Sequence, residues 1–192
     1  MAVVRFLGSG TLAILLLLGL ARPVETRPVE TAETPRASEY QVKAAFLYNF
    51  AKFVHWPDEH ALGPAFIVGI LGDDPFGGIL ESTFTGKTIL ERKVEVRRIS
   101  ALEAAGKVQI LFIGSSERPR LAEILKALEG TSVLTVGEMD GFSDRGGMIT
   151  FKLKNDLVRF DINLDQVERA HLKMSSQLIR LALRVISKGD GV

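Results

Sequence analysis

Four short β-prone runs, residues 66–71 (FIVGIL), 94–99, 108–113 (VQILFI) and 131–136, are separated by helix-prone stretches near residues 75–80, 101–105 and 117–128. A strand can join its neighbour in the same direction only after a crossover returns the chain to the same end of the sheet. This alternation therefore predicts a right-handed, doubly wound α/β layer. Residues 148–153 and 157–162 break the rhythm, because only Lys154, Asn155 and Asp156 separate them. That spacing is a hairpin signature and places an antiparallel pair at the sheet edge. The expected fold class is α/β: a single three-layer domain with a mostly parallel sheet, a C-terminal antiparallel hairpin, and flanking helices that include a long first and a long last one.

Val42, Phe46, Phe50 and Phe53 recur at helical spacing, so residues 40–54 read as the opening helix, ended by His55, Trp56 and Pro57. Phe46, Phe50 and Phe53 read as core, the alternative being that this aromatic face, with the Trp56-Pro57 corner, forms a contact surface for a partner. Trp56 lies past the helix end and is expected on the surface, where alanine in its place would weaken a partner and leave the melting midpoint nearly unchanged. Asn163 or Asp165 can cap a last helix running to about Ile186, with the stripe Val167, His171, Met174, Leu178, Leu181 and Val185.

Residues 1–21 carry one basic residue, Arg5, ahead of an apolar run at 11–20, with small residues at Gly19 and Ala21. This is the pattern of a cleavable signal peptide, and it implies export. Residues 22–39 contain the tandem RPVET RPVET, three prolines and no aromatic residue, a composition that cannot offset its ordering entropy by burial. They are expected to form a disordered linker before a domain at 40–187 and a tail at 188–192. The full chain has 24 Lys+Arg against 23 Asp+Glu. No global field then favours phosphate backbones, and no nucleic-acid partner is expected. The absence of cysteine excludes disulfides, thiolate metal sites and a thiol nucleophile.

Motifs that tempt toward chemistry fail on context. Thr85-Gly86-Lys87-Thr88 ends like a phosphate-binding loop, but Glu81 stands where its first glycine belongs and the segment leads toward a strand. His55, Asp58, Glu59 and His60 cluster around Pro57, which breaks the helix that paired ligands would need. Gly114-Ser115-Ser116-Glu117 lacks the nucleophile-elbow pattern. No catalytic constellation, cofactor site or metal site is expected, and the chain reads as a binding protein rather than an enzyme. The ends of the first and third strands are where open α/β sheets hold ligands, so Asp73, Asp74, Ser115 and Ser116 form the candidate ligand site.

The segments KAAFLYNFAKFVHWP (residues 43–57), IVGILGDDPFGGIL (67–80), ILFIGSS (110–116) and GGMITFKLKNDLVRFDINLDQVERAHLKMSSQLIRLA (146–182), in this order, resemble the YfiR family. The resemblance spans nearly all of residues 40–185. It implies a periplasmic protein that binds the periplasmic sensor portion of an inner-membrane diguanylate cyclase of the YfiN type. Binding holds the cyclase inactive, lowering cyclic di-GMP and restraining biofilm formation. An outer-membrane lipoprotein that sequesters the repressor is the implied third component. Membrane insertion after cleavage is not expected, and self-association as a homodimer is left open.

Tyr48, Asn49, Trp56 and His171 are the candidate partner-binding residues. The chain departs from the family in lacking its cysteine pairs, in carrying His171 where a glycine is usual, and in carrying His55 where an acidic residue commonly precedes Trp-Pro. The alternative is a periplasmic small-molecule sensor with no cyclase partner.

Overall fold

The computed structural model describes residues 35–57 and 63–188. The expected signal peptide, residues 22–34 of the linker, Asp58, Glu59 and His60, and residues 189–192 of the tail lie outside this range. Helix α1 (Pro35–Phe53) begins earlier than expected, taking residues 35–39 from the linker. Glu39 and Lys43, one turn apart, are ion-paired across its first turns.

Eight strands form the main sheet: β2 (Ala65–Leu71), β3 (Thr88–Ile89), β4 (Arg92–Ile99), β5 (Ile110–Ile113), β6 (Leu134–Gly137), β7 (Ile149–Lys154), β8 (Leu157–Asn163) and β10 (Arg184–Ile186). Their order across the sheet is β10-β8-β7-β6-β5-β2-β4-β3. Strands β4, β2, β5, β6 and β7 run parallel, while β3 and β8 are antiparallel to their neighbours β4 and β7. The expected α/β class and mostly parallel sheet are present.

Alternate residues of the central strands feed two cores, as the twofold period of a strand requires. Ile110 and Phe112 join Val68, Ile70, Phe50 and Leu80 on one face, against α1 and α2 (Ile79–Phe84). Leu111 and Ile113 join Ala105, Leu121 and Ile124 on the other, against α3 (Leu102–Ala105) and α4 (Leu121–Ala127). Phe50 is fully buried, with Phe46 and Phe53 packed beside the same core. The rings of Phe46 and Phe50 meet Phe151 and Phe160 of the β7–β8 hairpin at 5.1–6.3 Å. Asn155 and Asp156 turn that hairpin at φ 51° and 59°, the left-handed pair of a type I′ turn.

Two expectations fail. The long last helix is instead four short elements: α5 (Leu164–Arg169), β9 (Lys173–Met174), α6 (Ser176–Leu181) and β10. Consequently the hairpin is not the sheet edge, since β10 adds outside β8 in parallel. Helix α5 stops in a Schellman motif: His171 sits at φ 58°, its N–H donates to Glu168 O (2.9 Å), and Leu172 N–H donates to Val167 O (3.0 Å). Val167 and Leu172, the apolar pair of that motif, are both in the core. The next helix starts afresh where the Ser175 hydroxyl accepts from Leu178 N–H at 3.3 Å.

The left-handed position in such a cap favours glycine, because any Cβ there crowds the following carbonyl. His171→Gly is therefore expected to stabilise the protein by ~0.5–1 kcal/mol, the strain relieved exceeding the added chain entropy. A denaturant midpoint that falls would refute this account.

The surface position expected for Trp56 is corrected as well. Val54–His55 forms a strand, β1, paired antiparallel with β9, so Val54 opposes Met174 and His55 opposes Lys173. Alternation along this extended segment turns Val54 and Trp56 inward and His55 outward. Trp56 is 4% exposed and its ring meets Phe66 edge-on at 5.2 Å. The indole is core and is not available on the surface.

Candidate functional site

The sheet reverses its winding between β2 and β5, which is where open α/β sheets place a ligand crevice. Here the chain itself fills the crevice. Gly114 N–H donates to Leu71 O at 2.8 Å, and a Cβ on Gly114 would meet the backbone of Asp73. Asp73 N–H donates to Ser116 Oγ at 2.9 Å. Asp74 accepts from the amides of Phe76 (2.9 Å) and Gly77 (3.2 Å) through one oxygen and from Arg98 through the other. Arg98 is also ion-paired with Glu81, whose carboxyl it holds below the usual range through a hydrogen bond.

Asp73 and Ser116 thus meet through a latch joining the two loops, while Asp74 is held by its own loop and by Arg98 of β4. Ser115 begins the 3₁₀ turn that follows β5 and is exposed. None of the four lines the cavities described below.

The candidate partner-binding residues scatter differently. Tyr48 is half-buried against Phe84 (6.0 Å between rings), with Lys87 Nζ 4.5 Å and Lys52 Nζ 5.5 Å from its ring centroid. Asn49 is exposed on α1, and His171 is exposed in the turn after α5. The β1–β9 pairing, absent from any local pattern, places His55 opposite Lys173, two residues after His171.

Lys43 is 4% exposed and reaches Glu138, just after β6, at 2.6 Å as well as Glu39. Tyr40 Oη donates to the same Glu138 carboxylate at 3.1 Å. Burial opposes the charge on Lys43, but its hydrogen bonds to Glu138 and Glu39 outweigh that and raise its pKa above the ordinary lysine value. The i,i+4 spacing of Glu39 and Lys43 was a legible signal for half of this cluster. Glu138, 95 residues from Lys43, had none.

Glu138→Ala is expected to cost ~1–3 kcal/mol at neutral pH, because it leaves a buried ammonium with one carboxylate. A raised lysine pKa stabilises the fold fully below the unfolded value and is lost as pH rises through the folded one. The deficit of the variant in urea unfolding should therefore hold from pH 7 to about pH 10 and shrink above that.

Buried hydroxyls organise the loop between β6 and β7. Ser143 N–H donates to Thr150 Oγ1 at 3.0 Å, Met148 N–H to Thr135 Oγ1 at 3.1 Å, and Asn163 Nδ2 to Ser143 O at 2.8 Å. Asn163 Oδ1 also accepts from Gln166 N–H at 3.1 Å, capping α5. Among the described residues no three His, Asp or Glu side chains converge as a metal site. No described helix is long and apolar enough to cross a membrane.

Fold and site together define a three-layer α/β domain of mostly parallel topology whose switch-point crevice is closed by its own loops. The chain belongs to the YfiR/HmsC-like family (DUF4154), whose model matches residues 40–183. Among solved structures it is similar to a conserved domain protein from Vibrio cholerae O1 biovar El Tor, with a TM-score of 0.54 at 8% identity over 76% of this chain. It also matches an ABC domain from Streptococcus pneumoniae, solved with L-Trp, at a TM-score of 0.48 and 9% identity over 79% of this chain. The chain spans 60% of the length of each of these two structures. At such identity the Vibrio likeness concerns the fold alone.

Proposed function

We propose that this protein is an exported periplasmic regulator that binds the periplasmic sensor portion of an inner-membrane diguanylate cyclase and holds the cyclase inactive. The observation that carries this reading is the family match across residues 40–183. The protein acts by binding, without turnover. Repression then requires tighter binding to the inactive cyclase than to the active one, since equal affinity for both shifts nothing. Driving the cyclase from 1:99 to 99:1 in favour of the inactive state takes a preference of about 10⁴-fold.

The test is cytoplasmic cyclic di-GMP in a strain deleted for the gene, complemented with the full chain or with one lacking residues 1–21. Deletion is expected to raise the level, and only the full chain to restore it. A level unmoved by deletion would overturn the reading.

A further inference from the structure

The large apolar side chains that stand exposed among the described residues are Val42 (43%), Leu153 (57%), Leu157 (55%), Leu181 (61%) and Leu183 (45%). Isolated exposed leucines are ordinary, but these gather around one hairpin tip. A groove of about 760 Å³ between the hairpin and the first turns of α1 is lined by Val42, Leu153 and Leu157. A second, of about 350 Å³, lies between the hairpin and the link from α6 to β10, lined by Leu157, Leu181 and Leu183. Leu157 and Arg159 belong to both.

The projection of the tip follows from register. Strand β7 pairs with β6 only through Ile149 and Thr150, so residues 151–154 run past the end of the parallel strands. Phe151 and Phe160 on this overhang are covered by α1. Leu153, two residues farther along the same face as Phe151, is left outside that cover.

Charge around the tip is one-sided. Lys154 and Arg159 are exposed and form no ion pair with a described residue, and Arg36 also lines the larger groove. Of the two carboxylates there, Glu39 is committed to Lys43, which leaves Asp156. An apolar surface with a cationic rim is complementary to an apolar segment flanked by acidic side chains.

We infer that the β7–β8 hairpin tip, with α1 on one side and the α6–β10 link on the other, is the surface on which the protein docks an acidic, amphipathic segment of its partner. This rests on the regulatory reading above and assigns its contact to the hairpin tip, away from Tyr48, Asn49, Trp56 and His171. Leu157 is the shared anchor of the two grooves, and Arg159 is the charge beside it.

The double variant Leu157→Glu with Leu181→Glu tests the assignment. Both side chains are more than half exposed, so the melting midpoint and periplasmic abundance should stay at wild-type values. Binding to the periplasmic domain of the cyclase, measured by titration calorimetry with the full exported chain, should weaken about 100-fold. The variant should also fail to lower cyclic di-GMP in the deletion strain. Arg159→Glu should slow association and reduce its dependence on salt.

A double variant that represses as well as wild type overturns the surface while leaving the regulatory reading intact. A deletion strain whose cyclic di-GMP is unchanged removes both. A wild-type dimer that the double variant dissociates gives the surface to a second copy and also overturns the assignment.

Discussion

Phe142→Ala should lower the free energy of unfolding by ~3–5 kcal/mol, the range for emptying a closed site of its aromatic ring. Phe142 has no exposed surface. Its ring lies between two glycines, so that a Cβ on Gly137 would fall 2.9 Å from the ring and one on Gly147 would overlap it outright. No relaxation of a flexible side-chain end can absorb a clash with a buried ring. Gly147→Ala should therefore be nearly as damaging as removing the ring, through overpacking instead of a cavity.

The two effects share one space and must be non-additive. In the double variant Phe142→Ala with Gly147→Ala, the new methyl group enters the volume the ring vacated, so its cost should be well below the sum of the two single losses. Urea unfolding of the four proteins measures this coupling. Strict additivity would show that the glycine contacts of Phe142 do not govern stability. The same loop carries the Ser143–Thr150 and Thr135–Met148 hydrogen bonds, so cooperative loss of the whole 137–148 segment is the expected form of failure.

Trp56→Ala should cost ~3–5 kcal/mol, in the same range as Phe142→Ala, with a matching fall in melting midpoint. The indole packs on Phe66 of β2, and its loss opens a cavity between that strand and the end of α1. Its buried Nε1–H has no hydrogen-bond partner among the described residues. Trp56→Phe should accordingly be far milder, because it keeps an aromatic ring and removes an unsatisfied donor. Circular dichroism melts of the three proteins decide the matter. A midpoint for Trp56→Ala within a degree of wild type would return Trp56 to the surface, as its position past a helix end suggested.

The central strands were legible because each is a short apolar run buried on both faces, a pattern that needs no tertiary information. The hairpin was legible for a similar reason, since Asn155 and Asp156 tolerate the left-handed conformations its turn demands. Residues 164–186 were not. Val167, Met174 and Leu178 face one core at helical spacing, yet they do so from a helix, a strand and a second helix. His171 concealed the break, because it occupies a left-handed cap where glycine would have announced a helix end. Ser175 did carry a signal, as a capping residue ahead of an apolar run, but it reads equally well as a small residue inside a longer helix.

Of the candidate site residues, the structure joins Asp73 to Ser116 through a backbone amide. What those residues and Asp74 do there depended on Arg98 and on the closeness of Gly114 to Asp73, and both are set by the packing of β2 between β4 and β5. Likewise, five exposed apolar side chains at scattered sequence positions line two grooves that meet at Leu157 only because β7 overruns β6 and β10 lies beside β8.

Hydrophobic periodicity and turn chemistry are local properties, so the sequence by itself determined the α/β class, the parallel core strands and the hairpin. The pairing of β9 with β1 beyond the broken last helix, the inward turn of Trp56, the Lys43–Glu138 pair and the hairpin-tip surface were decided by the tertiary structure alone. Each depends on strand pairing or burial between residues far apart in the chain, and such contacts leave no spacing for a sequence pattern to show.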